Sequence, residues 1–185
     1  MSEVMRARSD RTIRLLKDSG AIKFGDFTLT SGKKSNYYID VKLAATKPMA
    51  LGDICRQIVV ELLNKYPDYI ACVELGGVPI STLVSYWEHV PLIIVRKVAK
   101  DHGTGGRLVG DFEKGKTAIL IEDVVTTGGS SLSAVKALRD AGLVVDTVIT
   151  VVDRQEGSQD AMAGAGVKLI ALTTAKEILE AQQHG

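Results

Sequence analysis

The stretch that decides the fold is AILIEDVVTTGGSS, residues 118–131. Four apolar residues have the character of a buried strand, and they run straight into two adjacent acids, Glu122 and Asp123. A turn rich in hydroxyls and glycine follows, and then helical spacing begins. A strand that ends on charge and turns through glycines into a helix is one unit of an α/β fold, in which ligands bind at the carboxyl ends of the strands.

Working outward, segments of two kinds alternate. Helical periodicity marks RTIRLLKDS, MALGDICRQIVVELLNKY, SLSAVKALRDAG and AKEILEAQQ. In the second of these, Leu51, Ile54, Ile58, Leu62 and Leu63 are expected on one face. Short apolar runs, YIACVEL, PLIIV, TAILI, VVDTVITVVD and VKLIAL, read as strands. The order predicts an α/β fold with a largely parallel central sheet flanked by helices. Gly142 stands where a helix C-terminal cap is expected, and Pro79 near a helix start. Two segments break the rhythm. FGDFTLTSGKKSNYYID reads as short strands and a turn outside the main sheet, and residues 96–116, polar and glycine-rich, read as one long loop. No repeat or linker divides the chain, so residues 1–185 are expected to form one domain.

The 185 residues are 45% hydrophobic and 24% charged, with a net charge of +1, so no global charge draws the chain to nucleic acid or membrane. The charged N-terminus is no signal peptide, and no apolar run reaches the ~20 residues of a membrane span, which predicts a cytoplasmic protein. Cys55 and Cys72 belong to no CxxC pair and are expected to be buried, reduced thiols. GDFEKGKT, residues 110–117, fits the Walker A letters, but it opens a strand instead of a helix and brings acids where phosphate would sit, so it is read as a turn. His89 and His184 are expected at the surface, and Trp87 in packing.

The chemistry of residues 122–131 has two poles. Glycines let backbone amides face a ligand, Thr126, Thr127, Ser130 and Ser131 add hydroxyls, and the helix N-terminus adds positive partial charge. That half suits a phosphate. Glu122 and Asp123 suit hydroxyl groups or a divalent cation instead. A ribose 5-phosphate carries both a diol and a phosphate.

AILIEDVVTTGGSS resembles the signature of the type I phosphoribosyltransferases, which bind 5-phosphoribosyl 1-pyrophosphate (PRPP). The resemblance implies that Glu122, Asp123, Val124, Val125, Thr126, Thr127, Gly128, Gly129 and Ser130 hold PRPP. Three other segments are similar to the orotate-specific branch of that family: FGDFTLTSGKKSNYYID to its hood (about residues 20–45), VRKVAKDHGTGGRLVG to its mobile catalytic loop (about residues 96–110), and VVDRQEG to the segment whose arginine contacts orotate. ELGGVPIST is the remaining match, and its glycine amides are suited to pyrophosphate or to a tight turn.

The implied activity is transfer of ribose 5-phosphate from PRPP to N1 of orotate, releasing pyrophosphate, in pyrimidine biosynthesis. Arg96, Lys97, Lys100 and His102 would meet the pyrophosphate, with Lys100, His102 and Asp123 catalytic, and Thr126 and Arg154 would meet orotate. An ion pair with Asp153 or Glu156 is the alternative reading of Arg154. Tyr37 and Tyr38 suit either base packing or the core. The resemblance also implies Mg²⁺, with Glu122 and Asp123 as its outer shell, and a homodimer that shares the catalytic loop across subunits.

The chain departs from many bacterial relatives in carrying Gly76 and Thr30 where they have lysines; Lys33 and Lys34 stand nearby. Two alternatives remain open at this point: a purine or uracil phosphoribosyltransferase, and a regulator that binds PRPP without turnover. The length leaves no room for a fused decarboxylase.

Overall fold

The computed structural model describes residues 3–28, 34–63, 65–100 and 106–183. Its elements in chain order are α1 (Glu3–Asp18), β1 (Ile22–Thr28), β2 (Lys34–Ile39), α2 (Val41–Ala45), α3 (Pro48–Leu62), β3 (Tyr69–Val73), α4 (Gly77–Glu88), β4 (Leu92–Lys100), β5 (Gly106–Val109), β6 (Thr117–Val125), α5 (Gly129–Asp140), β7 (Val144–Asp153), α6 (Ser158–Gly164), β8 (Lys168–Thr174) and α7 (Ala175–Gln183). The central sheet has the order β5-β4-β3-β6-β7-β8, all parallel except β5, while β1 and β2 form a separate antiparallel pair.

Alternation along the strands builds two cores. On β6, Ile119 and Ile121 face a cluster with Ile54 and Ile58 of α3 and Ile80 and Val84 of α4. Ala118 and Leu120 face the opposite cluster, with Ala134, Val135 and Leu138 of α5 and Met162 of α6. Successive side chains of a strand point to opposite faces, so a strand covered on both sides is apolar at every position. That is why TAILI reads as a continuous run instead of an alternation.

The chain reverses its direction of winding between β3 and β6: β4 lies on one flank of β3 and β7 on the far flank of β6. Such a switch point opens a crevice at the carboxyl ends. The register shows where. β3 leaves β6 after Cys72 pairs with Ile121, whereas β7 follows β6 as far as Val125 and Asp153. The edge of β6 toward β3 is therefore unpaired from Glu122 onward.

Several expectations are adjusted. The strand does not stop at the acids but runs through them to Val125. Residues 96–116 are not one loop, because β4 continues to Lys100 and β5 pairs back on it antiparallel, Val95 opposite Leu108. Leu63 leaves the apolar face of α3; it caps the helix and is exposed, while Ile54, Ile58 and Leu62 are buried. The first helix begins at Glu3, well before RTIRLLKDS.

Other readings hold. Gly142, at φ 98°, follows α5. Cys55 and Cys72 are buried free thiols, each pushed up to about 12 chiefly by burial. His89 is an exposed helix cap, and Trp87 packs beneath the Arg56 guanidinium, 5.9 Å from its ring centre. Within GDFEKGKT, Lys116 pairs with Asp68 at 3.3 Å and Thr117 opens β6, so the segment is a turn at the amino end of the sheet. Among the described residues, no helix is long and apolar enough to cross a membrane.

Candidate active site

Glu122 and Asp123 sit on adjacent positions of β6 and therefore on opposite faces. Glu122 shares the face of Leu120, against α5. It is 5% exposed and accepts a hydrogen bond from Ser131 Oγ at 3.0 Å. Burial, then the neighbouring Asp123, pushes its carboxyl up to about 8, against the opposing pull of Ser131 and Lys97. Ser131 is itself buried and committed to Glu122, so the ligand-facing hydroxyl expected of it is corrected to a structural one.

Asp123 shares the face of Ile121, toward α2 and α4, and its side chain is 14% exposed. Gly76 lies against it so closely that a Cβ there would stand 2.0 Å from Oδ2. Gly77 is constrained in the same way, its imagined Cβ 2.8 Å from the Ile121 carbonyl oxygen. Neither glycine serves a left-handed backbone; both let the start of α4 pack directly onto the end of β6. A lysine at position 76 is therefore incompatible with this placement of Asp123.

The same carboxylate meets Lys42 of α2, which had no pattern in the sequence to mark it. Its Nζ is 3.5 Å from Asp123 Oδ2 and 3.3 Å from Asp40 Oδ1. Burial works against the ammonium charge, but Asp123 and then Asp40 outweigh it and raise its pKa.

Beyond Val125, residues 126–130 wrap the start of α5. Gly128 takes the left-handed conformation, φ 88°, that turns the chain into the helix. Thr126, Thr127, Gly129 and Ser130 are exposed there, while Val125 is buried and Val124 half-buried in the two cores. A helix start bearing exposed hydroxyls thus closely follows Asp123 in the chain.

Arg154 directly follows β7, and its backbone amide donates to the Val125 carbonyl at 2.8 Å. Its guanidinium lies over the Tyr37 ring, 5.3 Å from the centre, so the β1–β2 pair and the main sheet meet at this side chain. Nε stands 3.1 Å from Glu156 Oε1, close enough for an ion pair but not aligned as a hydrogen bond. Asp153 is not its partner: it is fully buried and accepts from Ser158 Oγ at 2.5 Å and from the Gln155 amide at 2.8 Å.

Arg96 and Lys97 lie on β4 beside this crevice, and the Lys97 amide donates to Glu74 Oε1 at 2.8 Å. Arg107 of β5 donates to the Arg96 carbonyl and to Ser133 Oγ of α5, both at 3.1 Å, which ties the paired arms to the body. Lys100 ends β4. Its side chain, like His102, Thr30, Ser31, Gly32, Lys33 and His184, falls outside the described residues. Among the described residues, no group of three or more His, Cys, Asp or Glu gathers to hold a metal.

Comparison with known proteins agrees with this geometry. The model of the phosphoribosyl transferase domain matches residues 45–171. The orotate phosphoribosyltransferase of Methanosarcina mazei is 47% identical over 168 residues, 91% of this chain and 90% of that one. That of Methanocaldococcus jannaschii is 46% identical, covering 95% of this chain and 99% of its own. Among solved structures, orotate phosphoribosyltransferase from Aeropyrum pernix superposes with a TM-score of 0.84 at 32% identity, covering 94% of this chain and 98% of that one.

Proposed function

The chain belongs to the orotate phosphoribosyltransferases of the phosphoribosyl transferase family, and from that premise we propose how its residues divide the work. The enzyme transfers ribose 5-phosphate from PRPP to N1 of orotate, giving orotidine 5′-monophosphate and pyrophosphate. The observation that carries the residue assignment is the junction of β6 and α5, where Asp123 adjoins an exposed, hydroxyl-bearing helix start.

Asp123 accepts hydrogen bonds from the ribose diol, and the amides and hydroxyls of residues 126–130 receive the 5-phosphate. Glu122 braces the same strand from the α5 side through Ser131. Arg154, set over the Tyr37 ring, offers its guanidinium to the carboxylate and carbonyl of orotate, with Thr126 beside the base.

Breaking the C1–O bond ahead of attack leaves positive charge on the sugar and negative charge on pyrophosphate. Arg96, Lys97, Lys100 and His102 meet the leaving group, where added positive charge lowers the barrier most. A divalent cation, Mg²⁺, supplies charge neutralisation and geometry for the diphosphate. Such an ion would keep its waters, and Asp123 is a hard oxygen donor suited to its outer shell, whereas Glu122, also expected there, faces α5 and is held by Ser131. The β4–β5 arms carry the catalytic loop into the neighbouring subunit of a homodimer, and the enzyme works in the cytoplasm.

Supplying PRPP, Mg²⁺ and each nucleobase in turn tests the substrate. Product is expected with orotate; product with a purine or uracil alone would replace this reading, and tight PRPP binding without pyrophosphate release would make the chain a sensor.

A further inference from the structure

We propose that Lys42 is a positioning residue that sets Asp123 for the sugar, an inference that rests on the reading of Asp123 above. Asp123 has two close neighbours on other elements, Gly76 of the α4 start and Lys42 of α2. Gly76 leaves no room for the carboxyl to swing toward α4, since even a methyl group would collide with it at 2.0 Å. Lys42 reaches the same carboxylate, its Nζ 3.5 Å from Oδ2. Among the described residues, it is the ammonium that ion-pairs with this acid.

The electrostatics give the contact a purpose. Two carboxylates, Asp40 and Asp123, flank a crevice that must admit a polyanion. Like charges at such range destabilise one another and repel the substrate. Lys42, paired with Asp40 and Asp123 together, offsets both while its 54% exposed side chain remains in contact with solvent at the mouth.

The route through the fold is short. The Asp40 amide donates to the Ala21 carbonyl at 2.8 Å, just before β1, and Asp40 directly follows β2. The β1–β2 pair that bears Tyr37 thus leads straight into the short helix bearing Lys42. One side chain links the position of that pair to the acid on β6, across 81 residues of sequence.

The alternative is a surface ion pair of no consequence, since exposed pairs are screened by solvent and contribute little. A double-mutant cycle separates the two. Lys42→Met is expected to raise the KM for PRPP about tenfold, to leave the KM for orotate within about twofold, and to be largely rescued as Lys42→Arg. Added to Asp123→Asn, Lys42→Met should cost little more, because its effect passes through a carboxylate already lost. Unchanged KM for PRPP in Lys42→Met, or full additivity in the double variant, overturns the proposal. Calorimetric titration of PRPP reads the same cycle without turnover, so a wild-type enzyme that binds PRPP but prefers another base would refute the orotate assignment and leave the cycle readable. Failure of the wild type to bind PRPP would overturn both.

Discussion

The two faces of β6 treat neighbouring carboxylates in opposite ways. On the α5 face Glu122 is sealed in, hydrogen-bonded to a buried serine and pushed up to about 8 by that burial. On the α2–α4 face Asp123 meets a glycine with no side chain and a lysine half in solvent. The same residue class, one position apart, is packed as a strut on one side and left beside an open crevice on the other. What differs is the covering element: α5 packs over Glu122, whereas β3 ends its pairing with β6 at Ile121 and leaves the crevice beside Asp123 open.

The largest effect should come from the open face. Asp123→Asn keeps the shape but weakens the acceptors for the diol, and kcat/KM is expected to fall about 10²-fold or more, the scale of losing a preorganised polar contact in the transition state. Glu122→Gln should cost far less. Equal losses would erase the distinction between the faces.

Gly76→Ala comes next. Its methyl group must displace Asp123 or α4, so activity should drop roughly tenfold or more while the melting temperature moves little, because the collision is with a side chain at the crevice. A variant with unchanged kinetics would show that Asp123 is free to move.

Subunit mixing sharpens the same contrast between a group built into β6 and one on the arms. Lys100→Ala and Asp123→Asn proteins, each nearly inactive, should regain up to about a quarter of full activity after exchange if one hybrid site is intact. No recovery after verified exchange would place the loop in cis.

The smallest effect concerns pH. In the folded chain Glu122 keeps its proton up to about 8, whereas an ordinary glutamate loses it near 4.5. Between those values the unfolded state binds fewer protons, so the contribution of Glu122 to stability falls as pH rises and is flat on either side. The stability difference between wild type and Glu122→Gln should therefore change between pH 5 and pH 8, shifting against the wild type. A difference constant with pH would mean that Glu122 is already ionised in the folded protein.

Much of this was legible in the sequence because the signals are local. Apolar runs and helical spacing located β3, β6, β7, β8, α3 and α5, and the glycine–hydroxyl turn after β6 located the exposed start of α5. The signal separating the two acids was also present: adjacent strand positions face opposite ways, and that rule needed only the knowledge that β6 runs on to Val125. The helices α2 and α6 are too short for periodicity to register, so Lys42 had no pattern to mark it. Its pairing with Asp123 depends on how the β1–β2 pair docks on the main sheet, which no local window contains. Glycines at 76 and 77 read as amides for pyrophosphate or as a tight turn, but the close approach of α4 to β6 that they permit is a tertiary fact. The polar, glycine-rich composition of residues 96–116 masked β4's extension and β5, whose pairing is fixed by each other instead of by burial.

The most direct test is a crystal structure with PRPP bound. The account predicts the Asp123 carboxylate within hydrogen-bonding distance of the ribose hydroxyls and the 5-phosphate seated on the amides of residues 127–130. A ribose lying away from Asp123, or a 5-phosphate bound elsewhere with the start of α5 bare, would contradict it.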